Sequence, residues 1–157
     1  NGFSNSGLAL STANLNTAVQ PGGSLYGLQH SNPVDSGRAY RGPGQYGSLH
    51  DLAVGDIIGG VNVFGGGLAL YHPTTGEVIG AIGVSGDSSC ADHNIAWRMR
   101  YALGYTKVPG GVNSTAYGGA VPPAGGDDNI IYTGGGFGHP ACGFTEGTVS
   151  DLPSMTN

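Results

Sequence analysis

Charged residues are scarce in this sequence, and it has no long apolar run. Charged residues make up 10% of the 157, and Lys107 is the only lysine. The net charge is −5 and the arginines are scattered, so the chain has no basic stripe to neutralise phosphates. This pattern argues against nucleic acid as a partner. No apolar run approaches the ~20 residues that a bilayer-spanning helix needs, so we predict no membrane span.

Cysteine is also scarce, and its placement limits the chemistry that it can support. Cys90 and Cys142 lie far apart, and neither belongs to a CxxC pair. The missing pair argues against a zinc or iron–sulfur site. We favour one long-range disulfide, which would stabilise the fold by roughly 4 kcal/mol in the chain-entropy model. Two buried free thiols are the alternative.

Glycine, in contrast, is abundant. The 32 glycines follow no collagen-like period and cluster beside apolar runs, as turns between short elements do. A hydrophobic content of 38% with low net charge is not typical of a disordered chain. We therefore predict one packed, loop-rich domain over residues 1–157. The chain begins at Asn1, which is typical of a processed or truncated product; an artificial boundary is the alternative.

The first part of the chain has little regular patterning. Loosely helical spacing of apolar residues over Ser6–Val19 predicts a short helix that ends before Pro21. Residues 21–60 are irregular, and a loop of this length usually serves a function or an interface. The last part, residues 105–157, is predicted to be a loop-rich tail, in which Asn129–Thr133 is the only strand candidate.

The central part has the clearest pattern. Val61–His72 and Glu77–Gly86 are β-rich runs joined by Pro73–Gly76, and they predict a hairpin. Both runs are apolar enough for us to expect both faces to be covered. The glycines at 65–67 interrupt the first run, which indicates a bulge or a close backbone approach.

A helix is predicted after the hairpin. Ser88 or Ser89 can cap it, Asp92 in its first turn suits the helix dipole, and Gly104 ends it. One apolar stripe runs along it, made of Ala91, Ile95, Met99, Ala102 and Leu103.

Two tracts resemble catalytic motifs but depart from them. The tract FGGGLAL lacks the GK[ST] ending of a phosphate-binding loop and leads into a strand. In GVSGD, the second glycine comes one position too early for a serine nucleophile elbow. We therefore assign no catalytic residue. A non-enzymatic protein is favoured, and enzymatic activity stays an open question.

His93 and Trp97 form the best candidate for a binding site. They lie one helical turn apart on the same face, where an imidazole and an indole can form a wall for a flat aromatic ligand. A neutral imidazole is also the usual iron ligand, although a hydrogen-bonded structural histidine is the alternative. His139 would be drawn toward the same helix if Cys142 pairs with Cys90.

The central segment resembles the GlcG/HbpS family of small haem-binding or haem-degrading proteins. Gly66–Tyr71 matches the family's glycine-rich strand, and Val78–Gly86 matches the VGAIGVSG strand that precedes an acidic helix start. The stretches SCADHNIAWR and DDNIIY…GFGHPACGF resemble exported, haem-binding members. The resemblance covers about Ser11 to Phe144. The matching region lacks the helices and strands with which family members normally begin.

The resemblance implies an α/β (α+β) sandwich, with an antiparallel sheet of about five strands and helices packed on it. This chain would supply the C-terminal portion of that pattern. We therefore expect an N-terminal partner polypeptide, or a cleaved half, to complete the sheet and cover its open edge. The resemblance also implies export to the periplasm or the extracellular space, and a homo-oligomer.

The function that the resemblance implies is haem binding and haem handling, in sequestration, sensing or slow degradation. The cofactor is then haem, with His93, Trp97 and His139 as its binding residues and His93 as the metal ligand. Placing the ligand at His93 is our own interpretation, which the family pattern permits. The alternative is a non-enzymatic oligomeric structural or interaction protein of the same fold without a cofactor. An enzyme for a small hydroxy acid or a corrinoid-related substrate has no supporting catalytic dyad.

Overall fold

A β-hairpin and the helix that follows it form the centre of the molecule. This computed structural model describes residues 10–39, 48–51, 55–108, 128–132, 136–143, 152–153 and 155. In chain order, the elements are a 3-10 helix (Thr12–Leu15), a second 3-10 helix (Leu28–His30), α1 (Ser36–Ala39), β1 (Gly67–Tyr71), β2 (Val78–Gly83) and α2 (Ser89–Leu103). The described architecture is thus mixed α+β, with α2 packed against both strands.

The predicted hairpin is confirmed, with shorter strands than the apolar runs suggested. β1 and β2 pair antiparallel, and the register shifts where Tyr71 pairs with Val78 and leaves Ile79 out of the ladder. The turn closes where the N–H of His72 donates to the carbonyl of Glu77 at 2.8 Å. The N–H of Gly76 donates back to His72 at 2.9 Å.

The triple glycine at 65–67 is a place of close backbone approach. A Cβ atom on these three residues would overlap, in turn, the carbonyl of Ser89, the carbonyl of Val84 and the side chain of Thr12. Thr12 also accepts a hydrogen bond from the N–H of Gly67 at 2.9 Å and donates one to the carbonyl of Phe64 at 2.7 Å. The tract therefore lets the hairpin, the start of α2 and the first 3-10 helix meet without side chains between them.

Helix α2 begins and ends where its capping residues predict. The Ser88 hydroxyl accepts a hydrogen bond from the N–H of Ala91 at 3.2 Å, so Ser88 is the cap rather than Ser89. Gly104 ends the helix in the left-handed region, at φ 76°. Asp92 lies in the first turn and accepts from the N–H of Asp87 at 3.1 Å. None of the described helices combines the length and apolarity needed to cross a bilayer.

The orientation of α2 differs from the one that its apolar stripe suggests. Ile95, Met99 and Leu103 are 44%, 45% and 55% exposed. The face that packs inward is instead rich in polar groups, and its buried residues are Cys90, Asp92, His93, Asn94, Ala96, Trp97 and Arg100. Specific polar and covalent partners on the rest of the chain therefore decide which face turns inward.

The apolar core lies between the hairpin and α2, and the tail closes it. Its main cluster contains Leu68, Tyr71, Ala96, Trp97, Val108 and Met155. A second cluster contains Ala13, Cys90 and Ile130. Residues from the tail thus take part in both clusters.

The expected sheet of about five strands is not confirmed. The described residues contain a two-stranded sheet, and the chain by itself leaves much of β2 exposed, including Ile79. Asn129–Tyr132 is not a strand either: its backbone bonds to the side chain of Asn14 and to the N–H of His139, which does not lie in a strand. Thr133, the last residue of that candidate, lies outside the described residues.

The predicted N-terminal helix is reduced to the 3-10 helix Thr12–Leu15 and a series of turns. Residues 6–9 of that prediction lie outside the described residues. The described parts of residues 21–60 contain only short turns and helices, as the irregular composition of this segment suggests.

The triple glycine generates a stability prediction with a matched control. Gly65→Ala should lower the free energy of unfolding by about 2–3 kcal/mol, because the added methyl group forces the backbone away from Ser89. A Cβ atom added at Gly83 would have no neighbouring atom within 4 Å, so Gly83→Ala should change the free energy of unfolding by less than about 0.5 kcal/mol. Urea unfolding of both variants measures the difference. Equal stabilities would contradict this explanation of the tract.

Candidate functional site

A disulfide bond joins the first turn of α2 to the tail. Cys90 is fully buried, Cys142 is half-buried, and their Cα atoms lie 6.2 Å apart. This confirms the long-range pairing that the even cysteine count favours. The bond closes a separation of 52 residues and brings the tail against the polar face of α2.

His139 lies beside this disulfide, as expected if the two cysteines pair. Its Nδ1 is 4.0 Å from Cys90 Sγ and 2.6 Å from the carbonyl oxygen of Pro140. Because a carbonyl only accepts, Nδ1 is the donor in this hydrogen bond and carries a proton. The backbone N–H of His139 donates to Ile131 at 2.8 Å, which fixes the position of the residue.

His93 is fully buried on the inward face of α2. Its Nε2 lies 2.8 Å from the amide oxygen of Asn129, and the N–H of Ile130 points at the same nitrogen at 3.1 Å. Burial lowers the pKa of His93 to about 4, against the opposing effects of the Asn129 hydrogen bond and the Asp128 charge. The ring is therefore neutral near pH 7. Among the described residues, its Nδ1 has no hydrogen-bond partner.

Trp97 is also fully buried, next to His93. The centroids of the two rings lie 5.8 Å apart, and the guanidinium carbon of Arg100 lies 4.9 Å from the indole centroid. The indole N–H donates to the carbonyl of Pro153 at 2.7 Å. The ring is thus surrounded by protein and presents no free face.

Arg100 and Asp128 form a buried ion pair that sequence inspection missed. Both side chains are fully buried, and the guanidinium binds both carboxylate oxygens, with 2.9 Å from Nη1 to Oδ2. Nη1 also donates to the carbonyl of Ala69 in β1 at 3.0 Å. The position of Arg100 three residues after Trp97, on the same helical face, was the available sequence signal.

Asn14 is the second residue that sequence inspection missed. Its amide donates to the carbonyl of Asn129 at 2.8 Å and accepts from the N–H of Ile131 at 2.8 Å. Its own carbonyl accepts from the N–H of Gly138 at 2.9 Å. The Asn14 side chain therefore makes the hydrogen bonds to the tail backbone that a neighbouring strand would otherwise make. It also positions the segment that carries His139.

An open cleft lies away from this buried cluster. It has a volume of about 260 Å³ and is lined by Thr12, Asn62, Phe64, Gly65, Gly66, Gly67, Gly83, Val84 and Ser85. A second cleft, of about 300 Å³, shares Phe64 and Ser85 and extends to the acidic side chains of Asp87 and Asp92. Phe64 is 65% exposed, so an aromatic ring faces solvent at the junction of the two.

The buried cluster around His93 and the open clefts differ in their fit to a planar ligand. The rings of His93 and Trp97 are enclosed, and neither described cleft includes these residues or His139. A haem group does not fit between them in this arrangement. The open cleft offers an exposed aromatic ring and glycine backbone, but its lining contains no histidine.

Comparison with known proteins gives one match. The family model described as "haem degrading protein HbpS-like" matches residues 6–100, which include both strands, the triple glycine and most of α2. The searches of curated proteins and of solved structures found no match.

The buried ion pair generates a double-mutant prediction. Arg100→Met or Asp128→Asn alone should each lower the free energy of unfolding by about 3–5 kcal/mol, because each leaves an uncompensated buried group. The double variant should lose clearly less than the sum of the two single variants. Chemical denaturation of all four proteins measures the coupling. Strict additivity would show that the two side chains do not stabilise each other.

The lowered pKa of His93 generates a pH prediction. The unfolded chain protonates this ring near pH 6.5 and the folded chain only near pH 4, so the unfolded state binds more protons between these values. The contribution of His93 to the free energy of unfolding is therefore fully present above pH 6.5, and it falls by about 3 kcal/mol as the pH drops to 4.

Urea unfolding between pH 7 and pH 4 measures this loss. His93→Gln keeps a hydrogen-bonding group toward Asn129 but cannot titrate, so its stability should fall less across the range. His30→Gln, at an exposed position, should follow the wild-type curve. A His93→Gln curve parallel to wild type would contradict the assignment.

Proposed function

The chain belongs to the HbpS-like family of haem degrading proteins, and on that premise we propose that it binds haem and handles it by sequestration, sensing or slow degradation. The observation that carries the proposal is the family match over residues 6–100. That stretch contains the glycine-rich strand, the second strand and the capped start of α2. The conclusion concerns haem handling and assigns no catalytic step to any residue.

The open cleft is the surface that supports this function best. Haem is a flat, largely apolar ring, and the cleft places the exposed Phe64 ring beside the bare backbone of Gly65–Gly67. The second cleft, about 300 Å³, is at the lower end of the size of small-molecule sites, ~300–1,000 Å³. We propose that haem lies against Phe64 over this glycine backbone.

The set suggested by the sequence, His93, Trp97 and His139 with His93 as iron ligand, stays a prediction. Its chemical support is the neutral His93 ring, whose Nδ1 has no partner among the described residues. The covering tail segment around Asn129 and Ile130 would have to move before iron could approach this nitrogen.

We also propose that the protein is exported and that another polypeptide covers its exposed apolar face. A structural disulfide persists in oxidising compartments, which supports a periplasmic or extracellular location. The exposed apolar side chains of Ile79, Ile95 and Met99 support a covering polypeptide, either the expected N-terminal partner or further copies of the chain. Native mass spectrometry of the purified protein would distinguish these assemblies from a lone chain.

Haem titration tests the proposed function. The wild-type protein should bind one haem per chain and give a saturable Soret band. Phe64→Ser should weaken binding by about tenfold or more, because burying a phenyl ring against a ligand contributes about 1.5–3 kcal/mol. Tyr26→Ser is the matched control, since Tyr26 is an aromatic residue with the same exposed fraction, 65%, outside the cleft. Absence of a saturable band in the wild type would overturn the proposal.

The same titration tests the iron ligand. If His93 coordinates iron, His93→Gln should shift the Soret maximum of the haem complex, because the axial ligand tunes the electronic state of the iron. A His93→Gln complex with an unchanged spectrum and affinity would remove His93 from the site while leaving haem binding intact.

A further inference from the structure

Three side chains with metal-binding atoms converge where the tail meets α2. Cys90, Cys142 and His139 each offer one ligand atom, and all three atoms lie within 4.8 Å of one another. Cys90 and His139 are buried and Cys142 is half-buried. The group matches no metal-binding motif along the sequence, because its members come from two segments about 50 residues apart, although the Cys90–Cys142 pairing already implies that His139 lies near this helix.

We propose that reduction of the Cys90–Cys142 disulfide converts this group into a Cys₂His site for a thiophilic divalent cation such as Zn²⁺. Two thiolates and an imidazole are a donor set that zinc accepts, with water in the fourth position. Soft sulfur ligands also select against Mg²⁺ and Ca²⁺. The tail is then held to α2 by a disulfide in the oxidised protein and by a metal ion in the reduced one.

Two of the three ligands keep their positions without the disulfide. Cys90 lies in the first turn of α2, which Ser88 caps. His139 is held by its own backbone hydrogen bond to Ile131, and the preceding Gly138 donates to Asn14 at 2.9 Å. Opening the sulfur–sulfur bond breaks none of these contacts.

The third ligand has room to adjust. A tetrahedral zinc site with Zn–S bonds of ~2.3 Å places its two sulfurs about 3.8 Å apart, farther than in a disulfide. Cys142 lies between the exposed residues Ala141 and Gly143, so its sulfur can move outward without disturbing the core. Cys90 Sγ and His139 Nδ1 are already 4.0 Å apart, close to the spacing of two ligands on one ion.

The apolar side chains around the site favour a bound metal ion. Ala13 and Ile130 are buried against Cys90, and Tyr132 packs against the same cluster. These side chains exclude water from one side of the group, which strengthens the attraction between thiolates and a cation. The open fourth position then lies on the side of half-buried Cys142.

Reduction of the disulfide requires two electrons, which an external dithiol supplies. A thiolate of the dithiol attacks Sγ of Cys142, the more exposed sulfur, and the Cys90 sulfur leaves as a thiolate. The second thiol of the reductant then displaces Cys142, giving two cysteine thiols and an oxidised, cyclic reductant. Binding of Zn²⁺ releases the two thiol protons. When the metal binds at Nδ1 of His139, the ring proton moves to Nε2 and the bond to Pro140 is exchanged for the metal bond.

Cobalt titration of the whole chain tests the proposal. After reduction under anaerobic conditions, the wild-type protein should bind one Co²⁺, with thiolate-to-cobalt charge-transfer bands and the visible bands of a tetrahedral site. Zn²⁺ should displace the Co²⁺ and protect Cys90 and Cys142 from alkylation. The oxidised protein should show none of these bands.

Variants test whether His139 is a ligand. His139→Ala should weaken Co²⁺ binding at least tenfold in the reduced protein, and the control His30→Ala, at an exposed histidine, should bind as the wild type does. Equal binding by His139→Ala would overturn the proposed donor set. If His139→Ala fails to fold, the wild type decides: a reduced wild-type chain without cobalt–thiolate bands, or with no zinc protection of its thiols, overturns the proposal.

Discussion

The ion pair between Arg100 and Asp128 is the contact on which the described structure depends most. One guanidinium binds a carboxylate from the tail, a carbonyl of β1 and the face of Trp97, all without exposure to water. A buried charge that loses its partner is strongly destabilising, so each partner requires the other in place. The pair therefore joins three distant parts of the chain: the hairpin, the helix and the tail.

This constraint explains why α2 turns its polar face inward. With Arg100 directed at Asp128, residues one or two turns earlier on the same face, Trp97 and His93, also point into the molecule. His93 then meets Asn129, next to Asp128, and Cys90 meets the tail at Cys142. The apolar stripe through Ile95 and Met99 is left on the outside, where it is available to a covering polypeptide.

The same arrangement separates two chemical regions. The inward face of α2 forms a closed, hydrogen-bonded cluster. Burial in this cluster keeps His93 neutral near pH 7. The start of α2, together with the triple glycine, forms an open cleft with an exposed phenyl ring. The second region is the surface on which we propose that a flat ligand lies, and the first contains the disulfide that holds the tail. The proposed haem surface and the proposed metal site therefore involve different residues of the described chain.

The sequence by itself determined the features that depend on near neighbours. The hairpin follows from two β-rich runs around a four-residue turn, and α2 follows from Ser88 at one end and Gly104 at the other. The even cysteine count was enough to favour the disulfide. The family also followed from the sequence, because its motifs lie within this hairpin and helix start. Only the tertiary structure decided the roles of Asn14 and Asp128, whose partners lie far away along the chain. It also decided which face of α2 is buried, because burial there follows from specific ion-pair, hydrogen-bond and disulfide partners, and hydrophobic periodicity carries no information about them.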